Sequence, residues 1–145
     1  MEEIIKMIIL AVDLGAVRTG LALCEKSETL AYPLCTITEK NLEVLAKKIS
    51  EKIIETNAEL LLIGLPKNMN GTLGKSAENT IHFKEIMENH TNIPIVLWDE
   101  RLTTVSAQHY LNSGNVRSKN KKSIIDALSG SIILQSYIDY RKTLK

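Results

Sequence analysis

The sequence predicts an α/β domain in which an antiparallel three-stranded meander is extended by parallel strands, with helices on the faces of this mixed sheet. Residues 7–12 form an apolar run without alternation, which is typical of a strand buried on both faces at the centre of a sheet. Two further short apolar segments follow it across turn-forming residues. Beyond them, amphipathic helical patterns alternate with short apolar segments, which favours parallel β-α units.

The meander comprises three predicted strands at residues 4–12, 19–24 and 30–37. The first two are joined by a short turn containing Gly15, so we expect them to pair antiparallel. Pro33 lies within the third strand. Because proline has no backbone N–H to donate to a neighbouring strand, we predict that this strand lies at an edge of the sheet.

The rest of the chain alternates helices with short strands. In chain order, the predictions are a helix at 38–57, a strand at 60–64, a mobile loop at 64–74, a helix at 76–89 capped by Ser76, a strand at 93–98, a helix from Thr103 or Thr104 to 113, a basic linker at 115–122, and a last helix from Ser123 to 141.

Composition indicates one globular domain spanning residues 1–145, with residues 1–6 as a short extension of the first strand. The chain is 44% hydrophobic and 24% charged, and neither a spanning apolar run nor a signal peptide is present, so we expect a cytoplasmic protein without membrane contact. Cys24 and Cys35 lack metal-ligand spacing and are interpreted as buried thiols. A net charge of +1 does not by itself indicate a nucleic-acid partner, so any such site must depend on local charge.

Three acids stand at the ends of predicted elements: Asp13 after the first strand, Glu100 after the last strand, and Asp126 in the first turn of the last helix. A carboxylate at the rim of a core is costly unless a cation or several hydrogen bonds offset its charge. Asp126 shares a helical stripe with Gly130, which would let another backbone approach. One metal site explains all three acids together.

Each acid also has an ordinary explanation. Asp13 could start an Asx turn, Glu100 could pair with Arg101 on the surface, and Ser123 with Asp126 resembles a capping box. Asp99 competes with Glu100, because adjacent strand residues face opposite ways. These alternatives stay open at the level of sequence.

If the acids converge, their oxygen ligands favour Mg²⁺ or Mn²⁺ over Zn²⁺. His82, His90 and His109 lack ligand spacing, and no nucleophilic serine or cysteine arrangement competes. Metal ions held by carboxylates are suited to phosphodiester hydrolysis.

Four segments in this order resemble the YqgF family. They are residues 12–20 with Asp13, Gly15, Arg18 and Gly20, residues 64–72 with Gly64, Pro66, Asn70 and Gly71, residues 99–104 with Asp99, Glu100 and Arg101, and residues 125–137 with Asp126. The resemblance implies an RNase H-like fold, a likeness to Holliday-junction resolvases of the RuvC type, and a nuclease that matures the 5′ end of pre-16S ribosomal RNA.

The resemblance also implies catalytic and metal-binding roles for Asp13, Glu100 and Asp126. It makes Arg18, Lys67 and Arg101 candidates for holding substrate phosphates, and Asn70 lies in the loop that would close over a bound strand. One departure is the glycine at position 130, where the family pattern would have alanine.

A cluster of basic residues precedes the last helix: Arg117, Lys119, Lys121 and Lys122. Such a cluster can displace counterions from a nucleic-acid backbone, although a solvated linker is the ordinary interpretation. With only 4% aromatic residues, we expect backbone and shape recognition more than base stacking.

Four functions remain open. The favoured one is a Mg²⁺- or Mn²⁺-dependent endonuclease acting on structured RNA, as a monomer or weak dimer. The same chemistry on four-way DNA junctions would need two active sites in a dimer. A non-catalytic nucleic-acid-binding module and an actin-like nucleotide-binding enzyme are the alternatives from other classes.

Overall fold

The computed structural model describes residues 6–102 and 121–144, and for residues 121–127 the backbone alone. The described residues contain a five-stranded mixed sheet with the order β3-β2-β1-β4-β5. The strands are β1 (Ile9–Asp13), β2 (Arg18–Cys24), β3 (Ala31–Thr38), β4 (Leu60–Leu65) and β5 (Ile95–Asp99). Strands β1, β2 and β3 pair antiparallel, whereas β1, β4 and β5 are parallel. This is the predicted sheet.

Three α-helices lie within the described residues: α1 (Leu42–Thr56), α2 (Lys75–Glu88) and α3 (Lys121–Lys142). A 3₁₀ turn, Glu100–Leu102, follows β5. The helix predicted from Thr103 or Thr104 to residue 113 lies outside the described residues, as does most of the predicted linker. None of the described helices combines the length and apolarity needed to span a membrane.

The sheet separates two hydrophobic cores. On one face, Leu10 and Val12 of β1 pack with the helices α1 and α2. On the other face, Ile9 and Ala11 of the same strand pack with Leu134 and its neighbours on α3. Strand β1 is therefore buried on both sides, as its unbroken apolar run predicts.

The first strand begins later than predicted, at Ile9. Upstream of it, the Met7 N–H donates to Glu28 Oε2 at 2.5 Å and the Ile8 N–H donates to Glu59 Oε1 at 3.1 Å. Because carboxylates take these donors, Met7 and Ile8 do not use them in the strand ladder. Residues 1–5 of the predicted extension lie outside the described residues.

Helix starts also differ from prediction. Helix α1 begins at Leu42 because β3 continues to Thr38, and Asn41 Oδ1 caps it by accepting the Val44 N–H at 3.0 Å. The prediction that Ser76 caps α2 is wrong, since the N-cap is Gly74, which provides no side-chain cap. Helix α3 begins at Lys121, so Lys121 and Lys122 lie in its first turn and not in a linker.

Pro33 and Cys24 lie as predicted, whereas Cys35 is less buried than predicted. Pro33 is in β3, which pairs only with β2 among the described strands, and the register shifts beside it. Cys24 is fully buried and Cys35 is half-buried. Burial raises the pKa of Cys24 to about 11, which keeps this thiol protonated at neutral pH.

Candidate active site

Asp13 and Gly64 directly follow the last residue pair of the ladder between two parallel strands. This pair joins Val12 of β1 to Ile63 of β4. Neighbouring strands are about 4.8 Å apart. Because Ile9 and Ala11 face α3, alternation places the Asp13 side chain on that same face, where it is half-buried.

The Glu100 carboxylate lies against Gly64. A Cβ atom added to Gly64 would be 3.0 Å from Glu100 Oε2 and 2.8 Å from Ile133 Cδ1 on α3. Because Gly64 has no side chain, the Glu100 carboxylate can lie directly over it, on the face of the sheet that α3 covers. The acids from the ends of β1 and β5 therefore flank the same glycine.

Asp99 is engaged elsewhere. Its carboxylate accepts hydrogen bonds from Arg101, with Nη2 at 2.7 Å from Oδ2 and Nε at 3.1 Å from both oxygens. Residues Ile95 and Leu97 of β5 pack against the opposite core, so alternation directs Asp99 away from α3. The contacts of the two adjacent acids therefore differ: Glu100 lies beside Gly64, and Asp99 pairs with Arg101.

The two acids differ in electrostatics as well as position. Hydrogen bonds from Arg101 lower the pKa of Asp99, and the Lys67 charge adds to this effect. Burial raises the pKa of Glu100, and the negative charge of Asp99 raises it further. A desolvated carboxylate of this kind is stabilised in its charged form by a cation.

The short turn that carries Glu100 is fastened to α3. Ser136 Oγ donates to the Leu102 carbonyl at 3.1 Å and accepts from Trp98 Nε1 at 3.4 Å. The Trp98 ring also packs edge-on against Tyr137, with centroids 5.1 Å apart. These contacts hold the backbone on both sides of Glu100 in a fixed position relative to the helix.

The backbone of α3 brings Asp126 towards the same end of the sheet. A Cβ added to Gly130 would be 3.5 Å from the Gly20 carbonyl oxygen, and Gly20 is the β2 partner of Asp13. Asp126 precedes Gly130 by four residues, about one helical turn or ~6 Å along the axis. Its side chain lies outside the described atoms. Within the described residues, no group of three metal-ligating side chains comes together.

The predicted substrate contacts fall into two sets. Arg18 begins β2, directly after the turn between the first two strands, and Lys67 and Asn70 lie in the loop at residues 66–74. Lys67 is half-buried and Asn70 is exposed. Of the basic cluster, Arg117 and Lys119 lie outside the described residues, and Lys121 and Lys122 are placed by backbone alone at the start of α3.

The turn between β1 and β2 depends on a glycine. A Cβ at Gly15 would be 1.9 Å from the Arg18 carbonyl oxygen, so no side chain fits there without moving the backbone. The tight turn therefore keeps Asp13, at the end of β1, close to Arg18, at the start of β2.

The sequence alone does not reveal the roles of two residues in this site, Gly64 and Ser136. Gly64 was predicted as the point where a strand meets a turn, but its role beneath Glu100, one residue before the end of β4, was not predicted. Ser136 is a polar residue on an otherwise apolar helix face, and this is the signal that could have identified it. Its partners, Leu102 and Trp98, come from a distant part of the chain.

Comparisons of the sequence with known proteins identify relatives along nearly the whole chain. A family model described as RuvX, Holliday junction resolvase, matches residues 7–140. A protein of Caldanaerobacter subterraneus subsp. tengcongensis named "Putative pre-16S rRNA nuclease" is 41% identical over 137 residues, covering 94% of this chain and 99% of that protein. A protein of the same name from Thermoanaerobacter pseudethanolicus is 39% identical, with the same coverage.

Solved structures give the same fold. Thermus thermophilus RuvC in complex with a Holliday junction substrate superposes with a TM-score of 0.61 at 11% identity, covering 92% of this chain and 96% of that chain. The fowlpox virus resolvase in complex with Holliday junction DNA gives a TM-score of 0.54 at 15% identity, covering 95% and 99%. At these identities the likeness concerns the fold, and it confirms the predicted RNase H-like architecture.

Proposed function

Because this chain belongs to the RuvX family, also known as YqgF, we propose that it is a metal-dependent endonuclease that hydrolyses phosphodiester bonds in structured RNA. The observation that carries the proposal is the meeting of Asp13 and Glu100 on either side of Gly64, on the face covered by α3. The names of the relatives favour pre-16S rRNA as the substrate, and the family resemblance favours its 5′ end as the part that is cut. A role in ribosomal RNA maturation is consistent with a cytoplasmic location.

The donor set fits a hard divalent cation. Asp13 and Glu100 offer carboxylate oxygens alone, which Mg²⁺ and Mn²⁺ prefer, and the burial of Glu100 leaves a charge that a cation would neutralise. Asp126 is the proposed third ligand because its backbone position lies one turn before the contact between Gly130 and β2. A bound ion would supply an activated water and would stabilise the charge that develops on phosphorus.

Basic and polar residues around the acids would hold the substrate backbone. Lys67 contributes positive charge near Asp99. Asn70 uses its carbonyl oxygen for Thr72, so its amide nitrogen is the group it can offer to a phosphate. Further proposed phosphate contacts are Arg18, Arg117, Lys119, Lys121 and Lys122.

The test is a cleavage panel with pre-16S rRNA, single-stranded RNA and a four-way DNA junction, each with Mg²⁺, Mn²⁺ or chelator. We expect metal-dependent cleavage of the RNA precursor by the wild type and its loss, by at least about 10³-fold, in Asp13→Ala and Asp126→Asn. Lys52→Gln, which removes a surface charge on α1, is the matched control and should cleave normally.

Undiminished Mg²⁺-dependent cleavage by Asp13→Ala would refute the assignment of the acids. Tight RNA binding by the wild type, without cleavage under any metal condition, would instead indicate a non-catalytic binding module.

The second candidate is resolution of four-way DNA junctions. It is favoured by the family description and by the shared fold of the RuvC complex with a Holliday junction. Paired, symmetric cuts would require two copies on one junction. Sedimentation of the protein bound to a junction distinguishes the candidates, because one copy per junction contradicts resolution and two copies with paired nicks support it.

A further inference from the structure

Arg101 connects two parts of the candidate site. Its guanidinium donates from Nε and Nη2 to the Asp99 carboxylate, and its backbone N–H donates to Asp99 Oδ1 at 2.9 Å. On its other side, Nη1 donates to the Met69 carbonyl oxygen at 3.3 Å. One side chain therefore joins the end of β5 to the loop at residues 66–74, hereafter the 66–74 loop.

The 66–74 loop has a hydrogen-bonded turn of its own. The Asn68 N–H donates to the Thr72 carbonyl at 3.0 Å, and the Gly71 N–H donates to the Asn68 carbonyl at 2.8 Å. Thr72 bonds to Asn70 Oδ1 through both its N–H and its hydroxyl, at 3.0 and 2.6 Å. These bonds fix the shape of the turn, but they do not fix where the turn lies relative to the acids.

Arg101 supplies that missing connection. A Cβ added to Gly71, whose φ is +87°, would be 3.6 Å from Arg101 Nη1, so the guanidinium lies directly beside the turn. The planar fork of arginine can bind a carboxylate with two nitrogens and a carbonyl with the third, whereas a lysine amine has one nitrogen.

We propose that Arg101 is a positioning residue, which pairs with Asp99 and thereby holds the 66–74 loop as a preformed wall beside Glu100. In this role the guanidinium holds in place the loop that carries Lys67 and Asn70, and it does not itself bind the phosphate backbone. The proposal rests on the proposed nuclease function for its catalytic consequence, but the loop contact itself does not depend on substrate.

The first test measures amide hydrogen exchange of the 66–74 loop in Arg101→Gln, Asp99→Ala and the double variant, without metal or substrate. We expect both single variants to exchange about tenfold faster at the hydrogen-bonded amides of this loop, and the double variant to be no faster than the more affected single variant. Arg101→Lys should fail to restore protection. Lys52→Gln is the control for loss of a surface ion pair and should leave the loop unchanged.

The second test uses the salt dependence of RNA binding. A positioning role predicts weaker binding in Arg101→Gln, and an equal loss of binding with an equal change in the slope of log K against log salt in Asp99→Ala, which retains the arginine. A direct phosphate contact predicts a slope smaller by about one, restoration by Arg101→Lys, and no loss in Asp99→Ala.

Unchanged loop exchange in Arg101→Gln, or in Asp99→Ala, would overturn the proposal, as would the salt behaviour expected for a direct contact. Since the exchange readout needs no activity, absence of cleavage in the wild type would refute the nuclease function while the exchange result would still decide the role of Arg101.

Discussion

At the scale of single residues, the site depends on which positions lack a side chain. Gly64 lies near the end of a buried strand beside the strand that ends at Asp13, and a methyl group on it would crowd the Glu100 carboxylate. Glycine at position 64 allows Glu100 and Ile133 to approach closely. It is not needed for an unusual backbone conformation, since the φ of Gly64 is not in the left-handed region. The chain thereby brings a carboxylate from one strand over the end of another.

Gly64→Ala should therefore disturb Glu100 and Ile133 together. We expect kcat for RNA cleavage to fall by about ten- to a hundredfold, because a misplacement of about 1 Å at a reacting centre has effects of this size, with a loss of about 1–2 kcal/mol in unfolding free energy from overpacking. Steady-state kinetics and urea unfolding measure the two effects. Wild-type kcat in a folded Gly64→Ala protein would contradict the role given to Gly64.

At the scale of elements, α3 carries a glycine that the structure does not require. Gly130 packs over β2, but its added Cβ would be 3.5 Å from the nearest atoms, Ala22 Cβ, Ala22 N and the Gly20 oxygen. This is ordinary van der Waals contact. The β2 backbone does approach Gly130, as the sequence predicts, but this approach does not need a glycine, because alanine fits the same space.

Gly130→Ala should stabilise the protein by about 0.5–1 kcal/mol, since it removes the conformational entropy that glycine loses in a helix. Urea unfolding measures this gain, and cleavage activity should be retained, which makes it the matched control for Gly64→Ala. Gly15→Ala gives the opposite comparison and should destabilise, because its Cβ would be 1.9 Å from the Arg18 carbonyl oxygen. Destabilisation by Gly130→Ala would show that α3 lies closer to β2 than described.

At the scale of the whole molecule, a buried ion pair connects both ends of the described chain. Arg141 near the end of α3 donates from Nε to Glu28 Oε1 at 2.7 Å and from Nη2 to Oε2 at 3.2 Å. Glu28 is 5% exposed and also accepts the Met7 N–H. This contact lies at the opposite end of α3 from Asp126 and fixes the helix on the sheet.

Arg141→Met should destabilise the protein by about 3 kcal/mol, because it leaves the Glu28 carboxylate buried without its cation. In the double variant Glu28→Gln with Arg141→Met, we expect a smaller loss than the sum of the single losses, since no buried charge remains. Urea unfolding of the four proteins of this cycle measures the coupling. Strictly additive losses would show that the two side chains do not interact as described.

The predicted sheet, the three acids and the family resemblance all came from local patterns. An unbroken apolar run identifies a central strand because burial on both faces excludes polar residues, and an acid at its end stands out against that rule. The same reasoning placed Pro33 at an edge and Gly15 in a tight turn. Element boundaries were less accurate, as with β1, because Glu28 and Glu59 take the Met7 and Ile8 donors from distant positions.

The sequence by itself determined the kind of fold and nominated the three acids as candidates, since hydrophobic periodicity and strand ends can be recognised along the chain. Tertiary structure alone decided that Glu100 rather than Asp99 lies on the face of α3, that Gly64 supports it, and that Glu28 pairs with Arg141. The physical reason is that charge pairing and close approach depend on distances between segments far apart in sequence, which no local pattern specifies.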